Sequence, residues 1–156
     1  MNSLTKMKNM PLWLVLGTVV TMLFGCAGMS ADNSIKVTLS GAQEVPPVST
    51  SASGSGILTI GEDMSVSGSF KLQNAAQITA AHIHTGPAGK TGPVIIPLQK
   101  TADNEWVVSP GAKLTESQYQ LYKEGGLYVN FHSAQYKGGE IRGQIQPVSG
   151  GGRSGY

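Results

Sequence analysis

Cysteine is almost missing from this chain of 156 residues: Cys26 stands alone. No disulfide can form within the chain, thiolate clusters for zinc or iron–sulfur centres are excluded, and the fold has to be held by its core. Histidine occurs three times, phenylalanine three times and tryptophan twice, and charged residues make up only 13%. The formal charge is +2, but Lys6 and Lys8 sit in the N-terminal segment, and from Cys26 onward nine basic residues face nine acidic ones. The lysines are scattered, so they build no surface that would neutralise a phosphate backbone, and nucleic acid is excluded as a partner. The chain has no Gly-x-Ser-x-Gly elbow and no His-Glu-x-x-His zinc motif. Lys90-Thr91 follows a glycine, but a phosphate loop would need glycine at 84, where His84 stands, and no helix follows, so no nucleotide is expected.

What is present begins at the N-terminus. Lys6 and Lys8 precede an apolar run from Pro11 to Phe24, which ends in Gly25-Cys26. A positive region, a short apolar region and a small residue before a cut are the parts of an export signal. The uncharged stretch from Asn9 to Ala31 is also long enough for a retained membrane span. The cysteine decides between them, because Leu23-Phe24-Gly25-Cys26 resembles the lipobox of bacterial lipoproteins. That resemblance implies removal of residues 1–25, palmitate-type acylation at Cys26, and a tether over 26–33. Each buried methylene contributes about 0.8 kcal/mol, so two or three chains anchor firmly to a membrane. Ala27 rather than Asp after the cysteine points to the outer rather than the inner membrane of the bacterial cell envelope.

Between the tether and a Gly- and Ser-rich tail over 148–156 lies one domain, 34–147, with the periodicity of strands. Ile35, Val37 and Leu39 alternate with polar residues, as do Leu58 and Ile60, and then Met64, Val66, Phe70 and Leu72. Glu62-Asp63 reads as a hairpin turn between two of these runs. Further runs cover 77–84, 93–98, 104–108, 126–132 and 139–146, separated by Gly, Pro, Asn and Asp. Thr115-Glu116-Ser117-Gln118 reads as a capping box opening a short helix, with Leu114, Leu121 and Tyr122 on one side and Gly125-Gly126 at its end. Eight short strands and one short helix predict an all-β sandwich or Greek-key barrel.

Three segments then bring in a family. Leu39 to Pro47 (LSGAQEVPP), Ala81 to Val94 (AHIHTGPAGKTGPV) and Gly125 to Ile145 (GGLYVNFHSAQYKGGEIRGQI) resemble, in this order, the motifs of the CHRD domain, the module named after its repeats in chordin. A single copy is present. The resemblance implies an immunoglobulin-like or superoxide-dismutase-like Greek-key sandwich and a place outside the cytoplasm, and it implies no catalytic activity.

All three histidines lie within those motifs. His82 and His84 are two apart on a strand and so share a face. Leu127, Val129 and Phe131 form the apolar parity of the next run, which turns Tyr128, Asn130 and His132 the other way, and Arg142 falls on the polar side of the last one. If Ala81 and Ile83 face the core, His82, His84, Tyr128, His132 and Arg142 gather on one face. Ile78 and Ala80 share the histidine parity, so the inward set of that strand stays open. Three imidazoles suit copper or zinc. His82-Ile83-His84 is also similar to the His-x-His strand of copper/zinc superoxide dismutases, although those use more histidines and a disulfide. The same side chains could instead be structural, the histidines donating to carbonyls and Arg142 pairing with Glu44 or Glu140. Glu44 has no second carboxylate brought to it for glycosidase chemistry.

Two functions follow. One is a lipid-anchored binding or structural module without catalysis, which contacts an envelope or extracellular protein. Exposed Trp106, or several of Tyr119, Tyr122, Tyr128 and Tyr136, would serve it. The alternative is a mononuclear copper or zinc protein using His82, His84 and His132.

Overall fold

The computed structural model describes residues 34–75 and 77–148. The expectations for 1–25, for lipidation at Cys26, for the tether and for the tail beyond 148 fall outside the described residues. Among the described residues no helix is long and apolar enough to cross a membrane.

The alternating runs fold as eight strands: β1 (Ser34–Ser40), β2 (Ser53–Ile60), β3 (Val66–Gln73), β4 (Ile78–Thr85), β5 (Val94–Ala102), β6 (Glu105–Val108), β7 (Leu127–Ser133) and β8 (Ile141–Ile145). Among the described residues one α-helix, α1 (Glu116–Lys123), lies between β6 and β7. The strands pair antiparallel in the order β1-β2-β3-β6-β5-β4-β7-β8, and β8 returns to β1. Of the sandwich and the barrel that the strand pattern allowed, the structure has the barrel, one closed sheet of eight antiparallel strands, and the two-sheet sandwich implied by the resemblance is corrected. Eight strands leave a lumen just wide enough for side chains to fill. Phe131 stands in it with Phe70 and Trp106 edge-on, ring centres 5.6 and 5.9 Å away, and Val37, Leu58, Val129, Ile141 and Ile145 close around them.

The seam between β1 and β8 explains why the sheet can close. Gly143 points inward, and a Cβ there would lie 2.6 Å from Val37 Cγ1 and 2.9 Å from Leu39 Cδ2, so only a bare backbone lets the strands approach. Their direct register is limited to Ser40 opposite Arg142. Just beyond β1, Gln43 bridges the gap. Its amide donates to the Thr38 carbonyl at 2.9 Å and accepts the Gln144 N–H at 3.2 Å, standing in for a rung of the ladder.

A bulge in β4 settles the inward set that alternation left open. The register against β7 slips between Ile78 and Ala80. The extra residue lets Ile78 point inward upstream and Ala81 and Ile83 downstream, all buried, and turns His82 and His84 outward. α1 starts as expected: the Thr115 hydroxyl accepts the Gln118 N–H at 3.3 Å, and the Gln118 side chain accepts the Thr115 N–H at 2.8 Å. It ends with Gly125 at φ 71°, where Gly125 N–H donates to Tyr122 and Gly126 N–H to Leu121. Tyr119 and Tyr122 pack on the barrel, while Leu121, expected beside Tyr122, is 39% exposed.

Candidate metal centre

The site is built on the outer face of three neighbouring strands. Register places His84 opposite Tyr128, His82 opposite Asn130 and Ala80 opposite His132 across β4 and β7. Across β7 and β8 it places Asn130 opposite Arg142 and Tyr128 opposite Gln144. The outer wall of a small barrel is ordinarily wet, but here Tyr128, Asn130, His84 and Arg142 are all buried. Loops cover them, and the strand side chains hold the loops down. Arg142 donates to the carbonyls of Lys90 at 2.8 Å and Pro87 at 3.1 Å and to the Gln144 side chain at 2.9 Å. The Gln144 amide donates to the carbonyls of Gly86, Gly125 and Leu127. The Gly92 N–H donates to the Tyr128 hydroxyl at 3.2 Å.

These loops also orient the imidazoles. His84 Nδ1 lies 3.0 Å from the Gly92 carbonyl and His132 Nδ1 lies 3.1 Å from the Lys137 carbonyl. A carbonyl accepts, so each Nδ1 carries the proton and each Nε2 is left with its lone pair. Both Nε2 atoms are buried without a hydrogen-bond partner, as is Nδ1 of His82. The three rings meet pairwise with centres 5.2 to 5.8 Å apart. One ligand nitrogen from each lies within 4.8 Å of the others.

Burial holds all three imidazoles below their ordinary pKa, and for His84 the charges of His82 and Arg142 add to the effect against the Gly92 hydrogen bond. They are therefore neutral at neutral pH, the form that ligates metal. His84 stacks on Tyr128 at 4.8 Å with 13° between the planes, and the Arg142 guanidinium lies 3.6 Å from the centre of the same ring. Since β4 and β8 flank β7 on opposite sides, Tyr128 is held between a histidine and a cation.

The remaining expected residues separate from this cluster. Arg142 does not pair with Glu44 or Glu140, because loop carbonyls and Gln144 take its N–H groups. Glu140 accepts instead from the Thr50 hydroxyl at 2.7 Å. Glu44 is buried, and burial raises its pKa to about 7 against the charge of Arg142 and the hydrogen bonds from Asn130 and Val45. Its Oε2 accepts from the Asn130 amide at 3.4 Å, while its Oε1 and Asn130 Oδ1 are buried without partners. Trp106, Tyr122 and Tyr128 are buried and Tyr119 and Tyr136 half-buried, so the exposed aromatic patch that would serve a binding module does not form on them.

Sequence reasoning did not single out Gln43, Asn130 or Gln144 as site residues. Asn130 and Gln144 shared the polar parity of Tyr128 and Arg142, which was the available signal; that of Gln43 was its place in the LSGAQEVPP motif.

Neither curated proteins nor solved structures give a match to this chain. The CHRD domain model does match, over residues 35–145, which takes in all eight strands apart from the first residue of β1 and every member of the histidine cluster. This chain therefore belongs to the CHRD domain family.

Proposed function

We propose that this CHRD domain is a mononuclear copper or zinc binding module of the bacterial envelope, carried on a lipid at Cys26. Two observations carry the reading: His82, His84 and His132 each offer one ligand nitrogen within 4.8 Å of the others, and His82 Nδ1, His84 Nε2 and His132 Nε2 are buried without partners. Each buried, unsatisfied polar atom costs about 1–3 kcal/mol, and one ion at their common point would satisfy all three. With no two of the ligand nitrogens more than 4.8 Å apart, an ion centred among them would lie no more than about 2.8 Å from each, so reaching the 2.0–2.1 Å of a zinc–imidazole bond takes under about 1 Å of ring movement. The carbonyls of Gly92 and Lys137 act on the far nitrogens as outer-shell partners do in metal sites, fixing tautomer and ring direction. With three histidines in the chain, a site holding two metals lacks ligands.

The expectation of a binding or structural module keeps one support. Arg142, Gln144 and Asn130 tie the loops to the barrel whether or not an ion is present, so a conformational role for these three residues stands beside the metal site. A partner protein in the envelope is compatible with both.

The test uses the untagged full chain in mild detergent, incubated with equimolar copper and zinc, desalted and analysed for metal. Near-stoichiometric retention is expected. His82→Ala and His132→Ala should each weaken it by more than the roughly 10–100-fold that follows loss of an outer-shell partner. A folded wild-type chain that retains neither metal would overturn the reading.

A further inference from the structure

Resting on the three-histidine reading, we infer that the ion keeps one exchangeable coordination position, open to solvent, which binds small inorganic anions. The three ligands are not equivalent in their surroundings. A cleft of about 330 Å³ has Thr79, His82, Val94, His132, Ala134 and Lys137 among its lining residues, so two of the three imidazoles border it. His84 does not: it is 7% exposed, and the ring of Tyr128 is stacked against it. An ion held by all three would thus have His84 and its stacked tyrosine on one side and the cleft on the other.

Three protein donors leave a four-coordinate ion with one position for an exogenous ligand, whereas a structural site fills that position with a fourth side chain. Among the described residues no carboxylate lies within the nitrogen cluster or lines the cleft, so none of them stands ready to fill it. The volume decides the size of the ligand. At about 30 Å³ for a water molecule the cleft holds on the order of ten, ample for a di- or triatomic ion. Charge decides its sign: a metal cation at the floor and Lys137 among the lining residues attract an anion, with no acidic group opposing. Storage in a filled coordination shell is a different arrangement from this one, in which a small ligand from solution meets the ion directly.

Cobalt(II) loaded into the full chain reports on both steps, since its visible absorption records first the three nitrogens and then any added ligand. Azide, an inorganic anion of suitable size, is titrated into that protein. The expected result is a saturable spectral change with one azide per ion. Val94→Trp and Ala134→Trp, at two cleft positions that hold no ligand atom, should leave cobalt retention unchanged and weaken azide binding at least about tenfold. A chain that retains no cobalt, copper or zinc overturns the three-histidine reading and this inference with it. Cobalt retained with a spectrum that azide does not move overturns the inference alone. Azide binding of equal strength in both tryptophan variants would show that the open position does not face this cleft, and would also overturn it.

Discussion

Glu44 places a carboxyl group where its charge is disfavoured, and this makes stability depend on pH in a definite direction. With a folded pKa of about 7 against the ordinary 4.5, the folded chain holds a proton that the unfolded chain has already released across that interval. The unfolded state then binds fewer protons, so stability is fully present below the ordinary value and falls as pH rises through about 7. Glu44→Gln keeps a hydrogen-bond donor and removes the titration. Urea midpoints taken at about pH 5 and about pH 8 should therefore drop more for the wild type than for the Gln variant, and equal drops would contradict the assignment. At this scale the histidines were legible in part: spacing by two puts His82 and His84 on one face and parity turns His132 away from Leu127, Val129 and Phe131, but the direction in which β4 faces stayed open until its bulge placed Ala81 and Ile83 inward. The partners of the histidines were not legible. The carbonyls of Gly92 and Lys137 belong to loops, and a backbone acceptor leaves no mark in the sequence. Glu44 was named without its proton, because burial under a loop has no periodicity.

Between elements, one side-chain amide, that of Gln43, bridges the seam of β1 and β8. Gln43→Ala would leave the Gln144 N–H and the Thr38 carbonyl without their present partner. The expected loss is about 1–2 kcal/mol, since both groups retain some access to water, and it would be read as a lower urea midpoint at unchanged slope. A variant as stable as the wild type would mean that water replaces the amide without cost. Strand signals were strongest where the inward residues were large. β1, β3 and β7 were all readable by alternation, whereas the first half of β2 was not, because Gly54 and Gly56 hold its inward-facing positions and the side chains of Leu72 and Phe70 lie against them. The β4 bulge was hidden for a related reason: an inserted residue changes parity without changing composition. The helix was legible from its caps, although its packed face turned out to be that of Tyr119 and Tyr122 rather than Leu121.

For the molecule as a whole, the count of strands was readable but their closure was not. Alternation records only that each strand has an apolar side, and that side can face a second sheet or a lumen equally well. Closure came from Gly143 and Gln43, residues whose roles depend on strands about a hundred positions away. Phe131 tests the closed core directly. It touches both Phe70 and Trp106, and Phe131→Ala should cost about 3–5 kcal/mol, measured by urea or thermal unfolding. A loss below about 1 kcal/mol would mean that the lumen collapses around the missing ring.

β7 runs Leu127, Tyr128, Val129, Asn130, Phe131, His132, and successive side chains serve the lumen and the loop-covered wall in turn. Residues adjacent in the chain therefore belong to separate systems. The wall can exchange one set of polar side chains for another without altering the volume that the lumen must fill, and the lumen can be repacked without moving a ligand. The barrel is in this sense a mounting plate, on which selection or design can replace the fittings while the plate stays the same.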